Sequence, residues 1–234
     1  MQIPTTDMGS EALIDLALWH KRTLELFDET RPLAAPLGEH IAALEGRAGS
    51  VRETRRAQIE PRVAVAHANL AADVTLRQLA AALREQDGGK PGRASKAIFP
   101  DGLTPIVTPV AGAQAAALTT LVQRLEANRA LGAVVVRFLP IARGDLERLN
   151  TALSRRLERA RAHGAARAEE VVAREMLVAV YQESAGKIWA LYPHDRDRRE
   201  FFFDRFRGAA RGDEDSQRVA VDADAPAAVP APVL

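Results

Sequence analysis

The sequence predicts an all-α protein, organised as an elongated bundle of long antiparallel helices. Apolar residues recur every three to four positions over most of the chain, which is the helical period. Aromatic residues make up only 5% of the sequence, and much of the apolar content is alanine, which favours helix and allows close helix packing. A segment at 98–110 holds three of the thirteen prolines, so it cannot continue a helix and separates two helical halves.

The composition excludes several classes of site. There are 32 basic and 31 acidic residues, a formal charge of +1, so no global electrostatic footprint for nucleic acid is present. The arginine clusters at 52–56 and 155–161 have acids nearby and are interpreted as solvated helix faces. The absence of cysteine excludes disulfides, thiolate metal sites and cysteine nucleophiles.

Targeting and membrane signals are also lacking. The N-terminus has no basic region followed by an apolar core. The longest apolar run, 130–142, is interrupted by Arg137 and Pro140 and falls short of the ~20 residues that span a bilayer. The sequence therefore predicts a cytoplasmic, bacterial-type protein with no membrane span.

The first helical half is predicted over residues 10–87. A helix begins at Ser10 with an apolar stripe that contains His20, and Pro32 and Pro36 then break or bend it. We interpret His20 as a histidine that is packed with a partner, or half exposed, rather than as a ligand. Gly46 and Gly49, followed by Ser50-x-x-Glu53, predict a helix break with a capping box. The alternative is one bent helix from Leu33 to about Gln86.

The last helix of this half is predicted to carry two successive runs of apolar residues at helical spacing. They are Ile59, Val63, Ala66, Leu70 and Val74, then Leu76, Leu79 and Leu83. Pro61 should kink the helix unless the helix begins just before it. Asp73 lies among these apolar residues, and we expect it to pair with one of the arginines at 52, 55, 56 or 77; a functional buried carboxylate is the alternative.

Residues 88–110 are predicted to form a long irregular connector. Its apolar side chains, including Ile98, Phe99 and Ile106, indicate that its second half is docked rather than free. It lacks the GxxxxGK[ST] and GxGxxG patterns, so a phosphate-binding role is not supported.

The second helical half is predicted over 111–206. The β-branched run after Gly132 is typical of a strand, but it has no partner strand, so we interpret it as buried helix or turn. The longest periodic stretch, Arg143 to Tyr192, is either one helix or two helices that meet at His163-Gly164. Pro193 ends it. Residues 207–234 have the composition of a disordered tail.

Four of the seven phenylalanines are concentrated in a short C-terminal helix that Asp195 can cap. They are Phe201, Phe202, Phe203 and Phe206. Such a cluster in an aromatic-poor chain indicates docking, either on the protein's own bundle or on a partner. These four phenylalanines are therefore the candidate partner-binding residues.

The two halves share a layout of a shorter helix, a break and a longer helix, which suggests two pseudo-repeated helical hairpins. Leu16–Trp19 can be laid over Leu118–Leu121, and Leu76, Leu79 and Leu83 over Ala185, Ile188 and Leu191, although the identity is slight. Duplication is therefore a hypothesis at this point.

Three segments resemble a group of uncharacterised helical proteins from GC-rich bacteria such as myxobacteria. They are FPDGLTP from Phe99, AADVTLRQL from Ala71 and LYPHDRDRREFF from Leu191. The resemblance covers most of residues 10–206. It implies a helical fold, and it implies no known activity and no functional residue.

No catalytic, cofactor-binding or metal residues are predicted, because Glu-x-x-His pairs, HExxH and GxSxG are all lacking. The sequence favours a non-enzymatic structural or interaction protein that binds a protein partner or a second copy of itself. The alternative is a small-ligand-binding or enzymatic helical bundle with a pocket near the 98–110 connector.

Overall fold

The computed structural model describes residues 3–107 and 111–203. Over these residues the fold is all-α, as predicted, and contains no strand. The helices are α1 (Ser10–Leu24), α2 (Ala34–Ala57), α3 (Ile59–Gln86), α4 (Arg93–Ile98), α5 (Thr104–Val107), α6 (Gly112–Ala127), α7 (Ala133–Leu191) and α8 (Arg196–Phe201). Two 3₁₀ turns, Arg31–Leu33 and Arg129–Leu131, precede α2 and α7.

The chain divides into two compact units. The terminal unit comprises Met1–Ser50 with Arg167–Leu234, and the central unit comprises Val51–Ala166. These units differ from the sequential halves 10–87 and 111–206 that the sequence suggested. The difference arises because α2 and α7 each contribute residues to both units, so a boundary at the proline-rich connector does not separate the two cores.

Helix α2 runs without interruption through Gly46 and Gly49, and the capping-box prediction is wrong. The hydroxyl of Ser50 donates to the carbonyl of Gly46 at 3.2 Å instead of capping a new helix. The break comes at Gln58, which places Pro61 in the first turn of α3, where its missing N–H is tolerated.

Helix α7 is continuous from Ala133 to Leu191, so it passes through both Gly144 and the His163-Gly164 pair. The β-branched run after Gly132 is therefore helical. Helix α7 ends before Pro193, as predicted.

The connector is more regular than the sequence indicated, since α4 and α5 lie within it. The carboxylate of Asp87 accepts backbone N–H bonds from Ser95 (2.8 Å), Ala94 (2.9 Å) and Gly92 (2.9 Å), which together satisfy the start of α4. These donors, that of Ser95 foremost, hold the pKa of Asp87 well below its usual range. The predicted docking is confirmed, because Ile98, Phe99 and Ile106 are buried.

The two units share one set of elements, to which the central unit adds α5 and residues 51–57 of α2. In the terminal unit these are α1, a 3₁₀ turn, the start of α2, the end of α7 and α8; in the central unit they are α6, a 3₁₀ turn, the start of α7, α3 and α4. The first part of each core has the same register, 101 positions apart. It comprises residues 13, 14, 17, 20, 24, 34, 37, 41, 44 and 48 in the terminal unit, and 114, 115, 118, 121, 125, 135, 138, 142, 145 and 149 in the central unit.

The second part of each core also matches, 105 positions apart. The positions buried in both units are 72, 76, 79, 80 and 83 of α3, and 177, 181, 184, 185 and 188 of α7. The repeated layout suggested by the sequence is thus present in the burial pattern. The alignment of Leu16 with Leu118 is one position out of this register, and that of Leu76 with Ala185 is four positions out.

Candidate interaction surface and buried polar groups

Two of the three described C-terminal phenylalanines are core residues of the terminal unit. Phe202 and Phe203 are buried, whereas the side chain of Phe201 is 46% exposed. The ring of Phe202 stacks on Tyr192 at a centroid distance of 5.9 Å and lies 5.5 Å from Phe27. Two of the four candidate partner-binding rings are therefore enclosed by their own unit. A partner-binding role for Phe201 stays a prediction, and Phe206 lies outside the described residues.

Helix α8 is held in place by Arg198 as well as by its rings. The guanidinium lies 4.3 Å from the centre of the Tyr192 ring and 5.0 Å from that of Phe27, within the range of cation–π attraction. It also donates to Glu29 at 2.6 Å, and the Tyr192 hydroxyl donates to the same carboxylate oxygen. Burial, and then the bond to Glu29, raise the pKa of Tyr192.

His20 is fully buried between α1, α7 and the residues that follow α8. Its Nδ1 lies 2.9 Å from the carbonyl oxygen of Phe202, and its Nε2 lies 3.0 Å from the Ser184 hydroxyl. Because a carbonyl can only accept, Nδ1 carries the proton, and Nε2 accepts from Ser184. Burial lowers the pKa of His20 from 6.5 to about 4, against the opposing effect of the Phe202 carbonyl. The expectation of a packed histidine with a partner is confirmed.

The Ser184–His20 pair has the hydrogen bond of a nucleophile and its general base, but it lacks access to a substrate. Ser184 is 4% exposed and His20 0%. The rings of Tyr181 and Phe203 cover the imidazole at centroid distances of 4.4 and 5.1 Å. The pair therefore joins α1, α7 and the C-terminal segment, and does not present a reactive hydroxyl.

The central unit has different buried polar groups. The side-chain amide of Gln114, 1% exposed, donates to Asp73 at 2.7 Å. The arginine partner predicted for Asp73 is thus replaced by an amide. Asp145 is also buried and receives a bond from Arg148 through one oxygen. Among the described residues, no group of histidine and carboxylate side chains is arranged to hold a metal ion.

Each of these four buried polar residues corresponds to a leucine in the other unit. His20 and Ser184 of the terminal unit match Leu121 and Leu79 of the central unit. Gln114 and Asp145 of the central unit match Leu13 and Leu44 of the terminal unit. The shared architecture therefore does not itself require a polar group at any of the four positions.

Among the described residues, the longest line of exposed apolar side chains at helical spacing lies on α3. We call it the α3 stripe, and it consists of Ile59, Val63, Ala66, Leu70 and Val74. The exposed fractions of the four larger side chains are 60%, 62%, 62% and 44% in chain order. At 100° per residue the stripe spans an arc of about 80°. Of the two apolar runs that the sequence indicated on this helix, the second, Leu76, Leu79 and Leu83, occupies the core together with Ala72, whereas the first is exposed.

The equivalent face of α7 lacks this stripe. The positions that match the four large side chains hold Gly164, Ala168, Glu175 and Ala179, all exposed. The fold therefore accepts small and charged residues on this face, so the four large apolar side chains of α3 are not needed to build the unit. The terminal unit has other exposed apolar side chains, among them Trp19, Trp189 and the pair Val172 and Met176.

The concave surfaces are weaker candidates for a binding site than the α3 stripe. An open groove of about 610 Å³ follows one face of α7 between Arg143 and Glu158, and another of about 650 Å³ surrounds the link between α7 and α8. Neither is lined by residues 98–107, where the alternative hypothesis placed a pocket.

Comparisons with known proteins do not assign the chain to a family. No family model, no curated protein and no solved structure matches the chain. The resemblance to helical proteins of GC-rich bacteria thus stays a prediction. Along the described part of the chain, every helix is too short or too polar to cross a bilayer.

Proposed function

We propose that this chain is a non-enzymatic helical interaction protein that acts in the cytoplasm and binds a protein partner through the α3 stripe. The observation that carries this proposal is the exposure of four large aliphatic side chains in one line on α3. Contiguous apolar surface on a folded protein is a common mark of a protein-binding site.

Two further observations support a binding face over a structural explanation. The stripe lies opposite the core-facing side of α3, so it makes no contribution to the central unit's own apolar core. The matching face of α7 carries glycine, alanine and glutamate at the same positions. Because the fold does not need the exposed stripe, its side chains do not stabilise the isolated chain. Binding of a partner accounts for their presence.

A ligand-binding or enzymatic role has less support. The apolar side chains of the connector, Ile98, Phe99 and Ile106, fill the central core rather than line a cavity. The one serine–histidine pair noted above is enclosed by aromatic rings. An interaction role therefore agrees better with the arrangement of these residues.

The proposal can be tested by site-specific photo-crosslinking in the native cells. The photoreactive residue p-benzoylphenylalanine would replace Val63 or Leu70 in the stripe, or, as a matched control, Gln123, an exposed residue of α6 in the same unit. We expect discrete light-dependent adducts at positions 63 and 70 and none at position 123. The absence of adducts at both stripe positions, or an identical adduct pattern at all three, would overturn the proposal.

A further inference from the structure

The spacing of the α3 stripe is symmetric about its centre. The four large side chains stand at intervals of four, seven and four residues, so the order of intervals reads the same from either end. A two-fold symmetric contact requires a patch that is complementary to itself. In an antiparallel pair of α3 helices centred between Ala66 and His67, Ile59 faces Val74 of the second copy and Val63 faces Leu70.

Side-chain sizes also match in that register. Each level of the pair combines one larger side chain, Ile59 or Leu70, with one valine, so both levels have nearly the same volume. Ala66 lies next to the symmetry axis, where a small side chain allows the two helices to approach closely. Alternation of large and small residues is how packed helix interfaces fill space without voids.

Charges along one edge of the stripe are complementary in the same register. Arg62 and Asp73 flank the stripe on the same side of α3, at angles of about 60° and 40° from Ile59. The two-fold axis of such a pair is perpendicular to both helices, so this edge of one copy lies beside the same edge of the other. In the register described above, Arg62 then lies within about two residues, along the helix axis, of Asp73 of the second copy. Asp73 uses its Oδ1 for Gln114, and its Oδ2 can accept from the arginine.

The pair should be weak and reversible. A standard interface buries about 800 Å² on each partner, and four half-exposed aliphatic side chains supply only part of that area. The apolar stems of flanking arginines have to supply more. The stripe also ends at Val74, because Arg77 follows on the same line. These features point to a dissociation constant in the micromolar range or above.

We infer that the α3 stripe is a self-association surface, through which α3 packs antiparallel against α3 of a second copy. This inference rests on the proposed function and specifies its partner.

The absence of native cysteine allows a direct test of register in the full-length protein. Single-cysteine variants Val63→Cys and Leu70→Cys, carrying tags of different mass, would be mixed and treated with a short bis-maleimide. An antiparallel pair places position 63 against position 70 of the other copy, so we expect at least five-fold more mixed dimer than either like dimer. Ala66→Cys should crosslink to itself, and Ala116→Cys on the exposed face of α6 serves as the control.

A second measurement tests whether the side chains of the α3 stripe are needed for dimer formation. The variant Val63→Ala/Leu70→Glu copies Ala168 and Glu175, the residues that the matching face of α7 already carries, so the fold should be retained. In sedimentation velocity over a series of concentrations, we expect this variant to weaken dimer formation at least ten-fold, with an unchanged far-ultraviolet circular dichroism spectrum.

The outcomes separate this inference from the proposed function. Like dimers at 63 and 70 in excess over the mixed dimer would indicate a parallel pair and overturn the inference, as would a monomer at every concentration. If the protein is monomeric while the photo-crosslinks at 63 and 70 join it to proteins of other mass, the interaction function stands and self-association is wrong. If neither experiment yields an adduct, both fail.

Discussion

At the level of single residues, His20 shows how burial sets protonation. The imidazole is 0% exposed, and its two nitrogens are engaged by a carbonyl that only accepts and by a hydroxyl. Charging the ring would require burying a cation without an acidic partner, which is costly. The side chain is therefore neutral at physiological pH, and its bonds hold the Phe202 segment against α1.

This protonation state predicts how stability depends on pH. The pKa of His20 is about 4 in the folded protein and 6.5 without the fold, so between these values the unfolded chain binds a proton that the native chain does not. The contribution of His20 is full above pH 6.5, decreases as the pH falls, and levels off below about pH 4. As the pH falls from 7 to 4, we expect the loss of this contribution to lower the free energy of unfolding by about 3 kcal/mol.

Urea unfolding at several pH values, for the wild type and for His20→Leu, would measure this contribution. Carboxylates with lowered pKa values, such as Asp87, also lose stabilisation in acid, but they do so in both proteins. The difference between the two pH profiles therefore isolates His20. Parallel profiles would show that His20 does not titrate differently on folding.

At the level of elements, the continuity of α2 and α7 through glycines is the feature that the sequence left open. Glycine in a helix interior is less favourable than alanine by about 1 kcal/mol. A Cβ added at Gly46 or Gly164 meets no heavy atom within 4 Å. Gly132, by contrast, has a φ of +61°, a left-handed conformation that precedes α7 and that alanine adopts only with strain.

We therefore expect Gly46→Ala and Gly164→Ala each to raise the free energy of unfolding by about 0.5–1 kcal/mol, and Gly132→Ala to lower it by about 1 kcal/mol. Thermal unfolding of the three variants beside the wild type would measure these changes. A break at Gly46–Ser50, which the capping-box pattern predicted, or at His163–Gly164, which the sequence left open, would remove the stabilisation at the corresponding site.

The helices could be predicted from sequence because a 3.6-residue period is a local property. Helix α1, the end of α7 before Pro193 and the cap at Asp195 all follow from nearby residues. The orientation of α3 could not be predicted in the same way, because both of its faces are apolar. The stripe from Ile59 to Val74 and the face around Leu76 have equal helical spacing, and only packing against α4, α6 and α7 selects which one is buried.

The composition of the units could not be predicted for a related reason. Which helix ends share a core depends on contacts between residues more than a hundred positions apart, such as His20 of α1 and Ser184 of α7. A proline-rich connector is a strong local signal for a boundary, but it does not determine which helix ends share a core. The partner of Asp73 was likewise missed, because Gln114 is 41 positions away.

At the level of the whole molecule, two units of one layout differ in the polarity of their cores. At four matched positions that are buried in both units, one unit has a polar side chain and the other has leucine. A polar pair in a core can often be exchanged for apolar side chains without loss of stability, while removal of one partner alone is costly. The leucines of the central unit indicate that the terminal unit can accept such an exchange.

A double-mutant cycle on His20 and Ser184 would test this view. Ser184→Ala removes the donor to Nε2 and leaves a buried acceptor unsatisfied, so we expect it to cost about 1–2 kcal/mol in the wild type. In a His20→Leu background the same change should cost much less, because the serine hydroxyl then has only a local helix carbonyl to bond. The Thr23 hydroxyl also lies 3.2 Å from the Phe202 carbonyl, although its nearest acceptor is the His20 carbonyl at 2.8 Å.

The expected coupling energy is therefore about 1 kcal/mol, measured by urea unfolding of the wild type, both single variants and the double variant. Ser154→Ala, at an exposed position of α7, provides the control for the loss of a serine hydroxyl from this helix. If Ser184→Ala costs the same in both backgrounds, the two side chains contribute independently. The polar pair would then be no more than two separately packed residues, and the correspondence with Leu121 and Leu79 would carry no energetic meaning.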